Sequence, residues 1–158
     1  MADRKGGGSP TAVQRVRDQE RREDGNMDST VLTVDTSGRT VTDLTQQVAR
    51  FCSPRGDGLV NVFAPHATAG LALMEVGSGS EEDLADALGA LLPRDNRYRH
   101  RHGALGHGAD HVLPALVSPS LSIPVLDGTP LLGTWQAVVL VDTNGDNPHR
   151  HVRLSFLH

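Results

Sequence analysis

At 158 residues the chain is long enough to bury a core without disulfide or metal staples. Its formal charge of −4 argues against nucleic acid as a partner, because phosphate binding shows as a basic face or stripe. No apolar run approaches the roughly 20 residues that cross a bilayer, no secretory pattern opens the chain, and the single Cys52 excludes an internal disulfide. We therefore expect a cytoplasmic protein with neither a nucleic-acid nor a membrane partner.

Residues 1–26 are rich in Gly and in charges of both signs, with little to bury, and are expected to be a disordered tail; a start at Met27 and a functional tail are equally open readings. The folded domain is placed at 27–158. "TVLTVDT" (30–36) alternates as a strand does. In "TVTDLTQQVARFC" (40–52), Leu44, Val48 and Phe51 have helical spacing, with Thr42 or Asp43 as the cap. "GLVNVFA" (58–64) and "HATAGLALMEV" (66–76) read as strands. "SEEDLADALGALL" (80–92) is the clearest helix, with Leu84, Leu88, Leu91 and Leu92 as its stripe and Ser80 and Asp83 at capping-box spacing. An irregular stretch follows to residue 108, then a short helix in "ADHVLPALV" (109–117) and a strand in "SLSIPV" (120–125). Asp127-Gly128 marks a turn, "PLLGTWQAVVLVDT" (130–143) reads as one long strand, and "RHVRLSFL" (150–157) as the last. Strands dominate and two good helices interrupt them. The fold class is α+β, β-rich, with mostly antiparallel sheets in a sandwich-like protomer and two or three helices.

Several familiar sites are excluded. "GALGHG" has the wrong glycine spacing for a dinucleotide fingerprint, and "GSGSEED" lacks the Lys-Ser/Thr of a phosphate loop. "DTNGDNPHRHVR" starts like a calcium loop, but its glycine comes too early and Arg153 stands where a bidentate Glu belongs. No G-x-S-x-G elbow offers a hydrolase nucleophile.

The remaining chemistry lies in the eight histidines. "HGALGHGADH" (102–111) alone holds His102, His107 and His111 between glycines. His100 and His102 face the same way in extended chain. His107 and His111 have the i, i+4 spacing of helical metal ligands, although Gly106 and Gly108 oppose helix at His107. His66 closes an apolar strand beside small residues. Three converging imidazoles would hold zinc or a similar divalent metal and leave a fourth position for water or substrate. Glu75, Asp83, Asp95 and Asp110 are available as supporting carboxylates. Arg94, Arg97, Arg99, Arg101 and Arg150 are available for an anion, with a solvated loop as the alternative reading for most of them.

"HATAGLALME", "YRH", "GADHVLPALVSPSLSIPV" and "LGTWQAVVLVD" together resemble the YjbQ-like family, often labelled secondary thiamine-phosphate synthases, over nearly the whole chain after Met27. The resemblance implies a homotrimer with a pocket near a subunit boundary. By motif it implies catalytic roles for His66, Glu75, Asp83, His100 and His111, and substrate contacts from Thr68, Tyr98, Trp135, Gln136 and Arg150. His66, His100 and His111 are the implied metal ligands. At the family's frequent Asn this chain has His107, and "TNGDNPHR" departs from the usual loop. The implied reaction joins a pyrimidine pyrophosphate to a thiazole phosphate, which calls for Mg²⁺ and cationic side chains on the leaving group. Two other readings stand beside it. One is metal-dependent chemistry on another small phosphorylated or anionic molecule. The other is a non-catalytic trimer that binds a metabolite or metal.

Overall fold

The computed structural model describes residues 13–16 and 27–158; the tail reading otherwise falls outside the described residues. In chain order the elements are β1 (Val13–Val16), β2 (Met27–Asp35), β3 (Val41–Asp43), α1 (Thr45–Cys52), β4 (Gly58–Phe63), β5 (Ala69–Met74), α2 (Ser80–Leu91), α3 (His107–Asp110), α4 (Leu113–Leu116), β6 (Ser120–Leu126), β7 (Thr129–Pro130), β8 (Ala137–Asp142) and β9 (His149–Leu157). They build two antiparallel sheets, one of six strands ordered β1-β2-β9-β4-β6-β7 and one of three ordered β3-β8-β5. This is the expected α+β architecture, with two longer helices and two single-turn ones.

The sequence pattern explains the layering. Alternate residues of β2, β4, β6 and β9 (Leu32, Val34, Val60, Val62, Ile123, Val125, Val152, Leu154 and Phe156) turn inward. They pack on Leu71, Val138 and Leu140 of the small sheet and on Leu44, Val48, Phe51 and Cys52 around α1. Burial pushes the Cys52 thiol up to about 11, so it serves as inert packing. The other face of the small sheet is also covered. Ala137, Val139 and Val141 of β8 lie against Leu88 of α2 and Leu113 of α4. Every residue of β8 is therefore buried, which is why "AVVLVD" reads as a continuous apolar run rather than an alternating one.

Three local expectations need correction. The stretch 130–143 is not one strand: β7 ends at Pro130, β8 begins at Ala137, and between them Oε1 of Gln136 accepts from the Gly133 N–H at 2.8 Å and closes a turn. Helix is absent from 40–44, where Val41–Asp43 pairs with β8; Asp43 still serves the helix start, accepting from the Thr45 N–H at 2.8 Å. The Ser80/Asp83 capping box does not form. Gly79, with φ 93°, caps α2 through its backbone, and the Glu81 carboxylate reaches back to the Gly77 N–H at 2.9 Å. The Asp127-Gly128 turn is as expected, a two-residue hairpin with φ positive at both residues (49° and 73°).

Because Leu154 is fully buried where the two sheets meet, Leu154→Ala is expected to lower the unfolding free energy by about 2–5 kcal/mol in urea denaturation. A loss within experimental error would show that the sandwich interface does not carry the stability.

Candidate metal centre

The histidines gather where the chain is least regular. The single turn of α3 and its C-cap put His107 and His111 on one side, with Nε2 of the two rings 3.0 Å apart. His100 and His102 reach the same point from the preceding extended stretch. The His100 ring centroid lies 3.9 Å from that of His102 and 4.2 Å from that of His111, and His102 lies 5.1 Å from His107. One ligand nitrogen from each of the four lies within 4.8 Å of all the others.

The interleaved glycines permit this crowding. Gly103 has φ +81°, and a Cβ there would stand 2.7 Å from Cγ of His107; at Gly108 it would stand 2.5 Å from Cβ of Tyr98 and 3.0 Å from the backbone oxygen of His100. The expectation that Gly106 and Gly108 oppose helix at His107 is thus corrected. Gly106, at φ 85°, caps α3, and Gly108 lets it pack against residues 98–100.

Nδ1 of His107 lies 3.0 Å from Oδ2 of Asp146, although the carboxylate stands off the ring N–H axis. The Nε2 atoms of His107 and His111 share one hydrogen bond, one ring donating and the other accepting. Burial, followed by the neighbouring imidazoles, holds His100 and His111 below the ordinary histidine value, and Asp110 opposes this for His111. Both are neutral nitrogen donors at neutral pH. Beneath them Asp110 is fully buried. It accepts from Arg94, one of whose contacts is 3.2 Å, and from Oγ1 of Thr143 at 2.7 Å.

Fit to a metal can be tested on these distances. Tetrahedral zinc with nitrogens at 2.0–2.1 Å has ligand atoms about 3.3 Å apart. The 3.0 Å His107–His111 spacing is close to that edge, and the 4.8 Å outer limit would have to contract to reach it. An all-imidazole donor set suits zinc and its neighbours.

A second polar cluster joins the two sheets. Arg150 of β9 and Asp142 of β8 form a buried bidentate pair at 2.6 and 2.9 Å. Thr36 donates to Asp142 at 2.9 Å, and Arg150 donates to Thr68 at 3.1 Å. His66 sits beside this group and does not join His100 and His111. Its Nε2 lies 2.9 Å from the backbone nitrogen and 3.0 Å from the backbone oxygen of His151, so β9 engages one of its two ring nitrogens. Burial and the charge of Arg150 hold its pKa below the ordinary value of 6.5.

The sequence-derived residues therefore divide. Tyr98, His100 and His111 come together, with His102 and His107 added. Thr68 and Arg150 belong to the sheet-bridging cluster with His66. Glu75 and Asp83 are exposed, Trp135 is 73% exposed, and Gln136 is spent on its own turn. None of these four meets the histidines within the chain. Asp146 was missed. Its sequence signals are its place in the calcium-loop-like alternation of Asp142, Asn144 and Asp146 and the departure of "TNGDNPHR" from the expected loop.

A family model described as "UPF0047 protein YjbQ-like" matches residues 30–158. The chain belongs to the YjbQ-like UPF0047 family. The UPF0047 protein Rv2556c of Mycobacterium tuberculosis is 63% identical over 131 residues, covering 83% of this chain and 98% of that protein. A UPF0047 protein of Archaeoglobus fulgidus is 36% identical over 121 residues, covering 75% and 94%. Among solved structures, a hypothetical protein of Aeropyrum pernix aligns with TM-score 0.74 and 30% identity over 82% of this chain and 98% of its own. A YbjQ-like protein of unknown function from Sulfolobus solfataricus aligns with TM-score 0.77 and 22% identity, over 83% and 96%. The family fold thus covers the described domain from β2 onward.

His66 gives a pH expectation. The unfolded chain takes up a proton near 6.5 and the folded chain resists it, so stability falls as pH drops below that value. His66→Gln, which keeps a group able to meet the His151 backbone, should make the melting temperature depend less steeply on pH between about 7 and 5. Some slope should remain, because His100 and His111 titrate in the same sense. An unchanged slope would show that His66 is not held neutral.

Proposed function

We propose that this YjbQ-like chain holds a zinc-class divalent metal on imidazoles and uses it to bind or transform a small anionic molecule. The supporting observation is the convergence of His100, His102, His107 and His111, with ligand atoms within 4.8 Å of one another. Thiolates are not needed, which suits a chain whose one cysteine is buried. A phosphorylated or carboxylated substrate fits the adjoining cavity of about 440 Å³, lined by Tyr98, Arg101 and three of the histidines.

The thiamine-phosphate synthase reading has weaker support. It asks for cations free to receive pyrophosphate and for oxygen ligands to Mg²⁺. Arg150 and Arg94 are engaged by Asp142 and Asp110, which among the described residues leaves Arg101 as the one available cation of the cavity, and the converging group is imidazole. A homotrimer remains part of the proposal. The outer face of the large sheet carries exposed Leu59 beside Leu157, with Leu126 on β6 and Phe63 at the far end of β4, and subunit contacts would cover them.

Competition titration with a chromophoric zinc chelator is expected to give one tightly bound zinc per untagged chain. His111→Ala, with its far-ultraviolet circular dichroism intact, should lose that zinc. A chain that takes up no zinc, or a variant that holds it as tightly as the wild type, would remove the centre.

A further inference from the structure

Four imidazoles around one tetrahedral ion leave no position for a ligand, so the manner of opening decides what the centre can do. The four are not held equally. His107 has the Asp146 carboxylate 3.0 Å from its Nδ1, an ion-pair contact off the hydrogen-bonding axis. His111 caps α3 and is bonded to His107. The backbone of His100 is pressed against Gly108, where a Cβ would approach its carbonyl oxygen to 3.0 Å. His102 has none of this. Its side chain is exposed and, like that of His100, makes no hydrogen bond among the described residues; what separates the two is the packing of the His100 backbone on Gly108, whereas His102 lies beside Gly103, at φ +81°.

His102 also stands at the wall of the 440 Å³ cavity, next to Arg101. The acidic group of that wall, Asp95, is already paired with Arg97 at 2.8 Å. Arg101 has no carboxylate partner among the described residues, so it is the cation of the cavity that remains available to an anion.

We infer that His102 is the exchangeable ligand of the centre: a small oxyanion, such as a phosphate or carboxylate group, enters the cavity, pairs with Arg101 and takes the coordination position that His102 vacates. The inference rests on the proposed metal centre. His100, His107 and His111 keep the ion while the fourth position changes hands. The closed form is a resting state, and the ligand's charge and reach select the open one.

Cobalt(II), whose visible spectrum reports coordination, separates this from the centre itself. The full chain and its His102→Ala, His111→Ala and Arg101→Gln variants are loaded with zinc or cobalt, and the cobalt forms are titrated with inorganic phosphate. His102→Ala should keep about one metal per chain, whereas His111→Ala should lose it. Phosphate should change the wild-type cobalt spectrum, and it should do so at lower concentration in His102→Ala, where no imidazole competes. Arg101→Gln should need about tenfold more phosphate, the loss of one charge-assisted contact. If His102→Ala loses metal as completely as His111→Ala, or phosphate leaves the cobalt spectra unmoved, the exchange is wrong while the metal centre stands. If the wild type itself takes up no metal, the centre falls and the exchange with it.

Discussion

The buried pair between Asp142 and Arg150 joins the two sheets, and the site depends on it. β8 lies in the small sheet and β9 in the large one; their connection runs from one layer to the other, and the ion pair fixes both ends of it. A bidentate pair this buried is costly to break, because removing one partner leaves the other charge uncompensated at about 3–5 kcal/mol. Thr36 and Thr68 occupy further hydrogen-bonding positions of the pair. With its ends fixed, the connecting loop sends successive side chains to different places. Thr143 goes to Asp110, Asn144 to Thr68 at 3.4 Å, and Asp146 to His107. The same loop therefore supports the sheet-bridging cluster and the histidine cluster.

Above that support the histidine cluster is made by small residues. Imidazoles crowd one another only if the backbone between them can fold tightly, and Gly103, Gly106 and Gly108 supply positive φ or the missing Cβ at the contacts. Asp110, fully buried between the two α3 histidines in sequence, ties the same turn to Arg94 and Thr143. A side chain at Gly108 would push Tyr98 and His100 away together, so the glycine spacing is a packing requirement of the site.

Much of the fold was legible because burial writes itself into periodicity. β2, β4, β6 and β9 alternate as strands with one face in the core, and the unbroken run of β8 marks burial on both faces. The segment before Ala137 misled because Leu131, Leu132 and Trp135 extend the apolar run although Leu131 and Trp135 lie exposed in a loop. The site was half legible. His100 and His111 could be named from motif, and the parity of His100 with His102 and the i, i+4 spacing of His107 with His111 were both visible. What sequence spacing cannot show is which pairs meet. His66 has the right chemistry and the wrong neighbour, the backbone of His151. Asp146 and His107, both at places where the chain departs from the pattern it resembles, lie 3.0 Å apart. Long-range contacts of that kind arise from the topology of the two sheets and leave no local mark.

The most direct measurement is X-ray absorption at the zinc edge on the untagged, zinc-loaded chain, which counts the ligands around the ion. Four imidazole nitrogens at about 2.0–2.1 Å are expected in the absence of anions, with no sulfur. A shell dominated by oxygen, or one with two imidazoles or fewer, would contradict the convergence of His100, His102, His107 and His111 on a single metal.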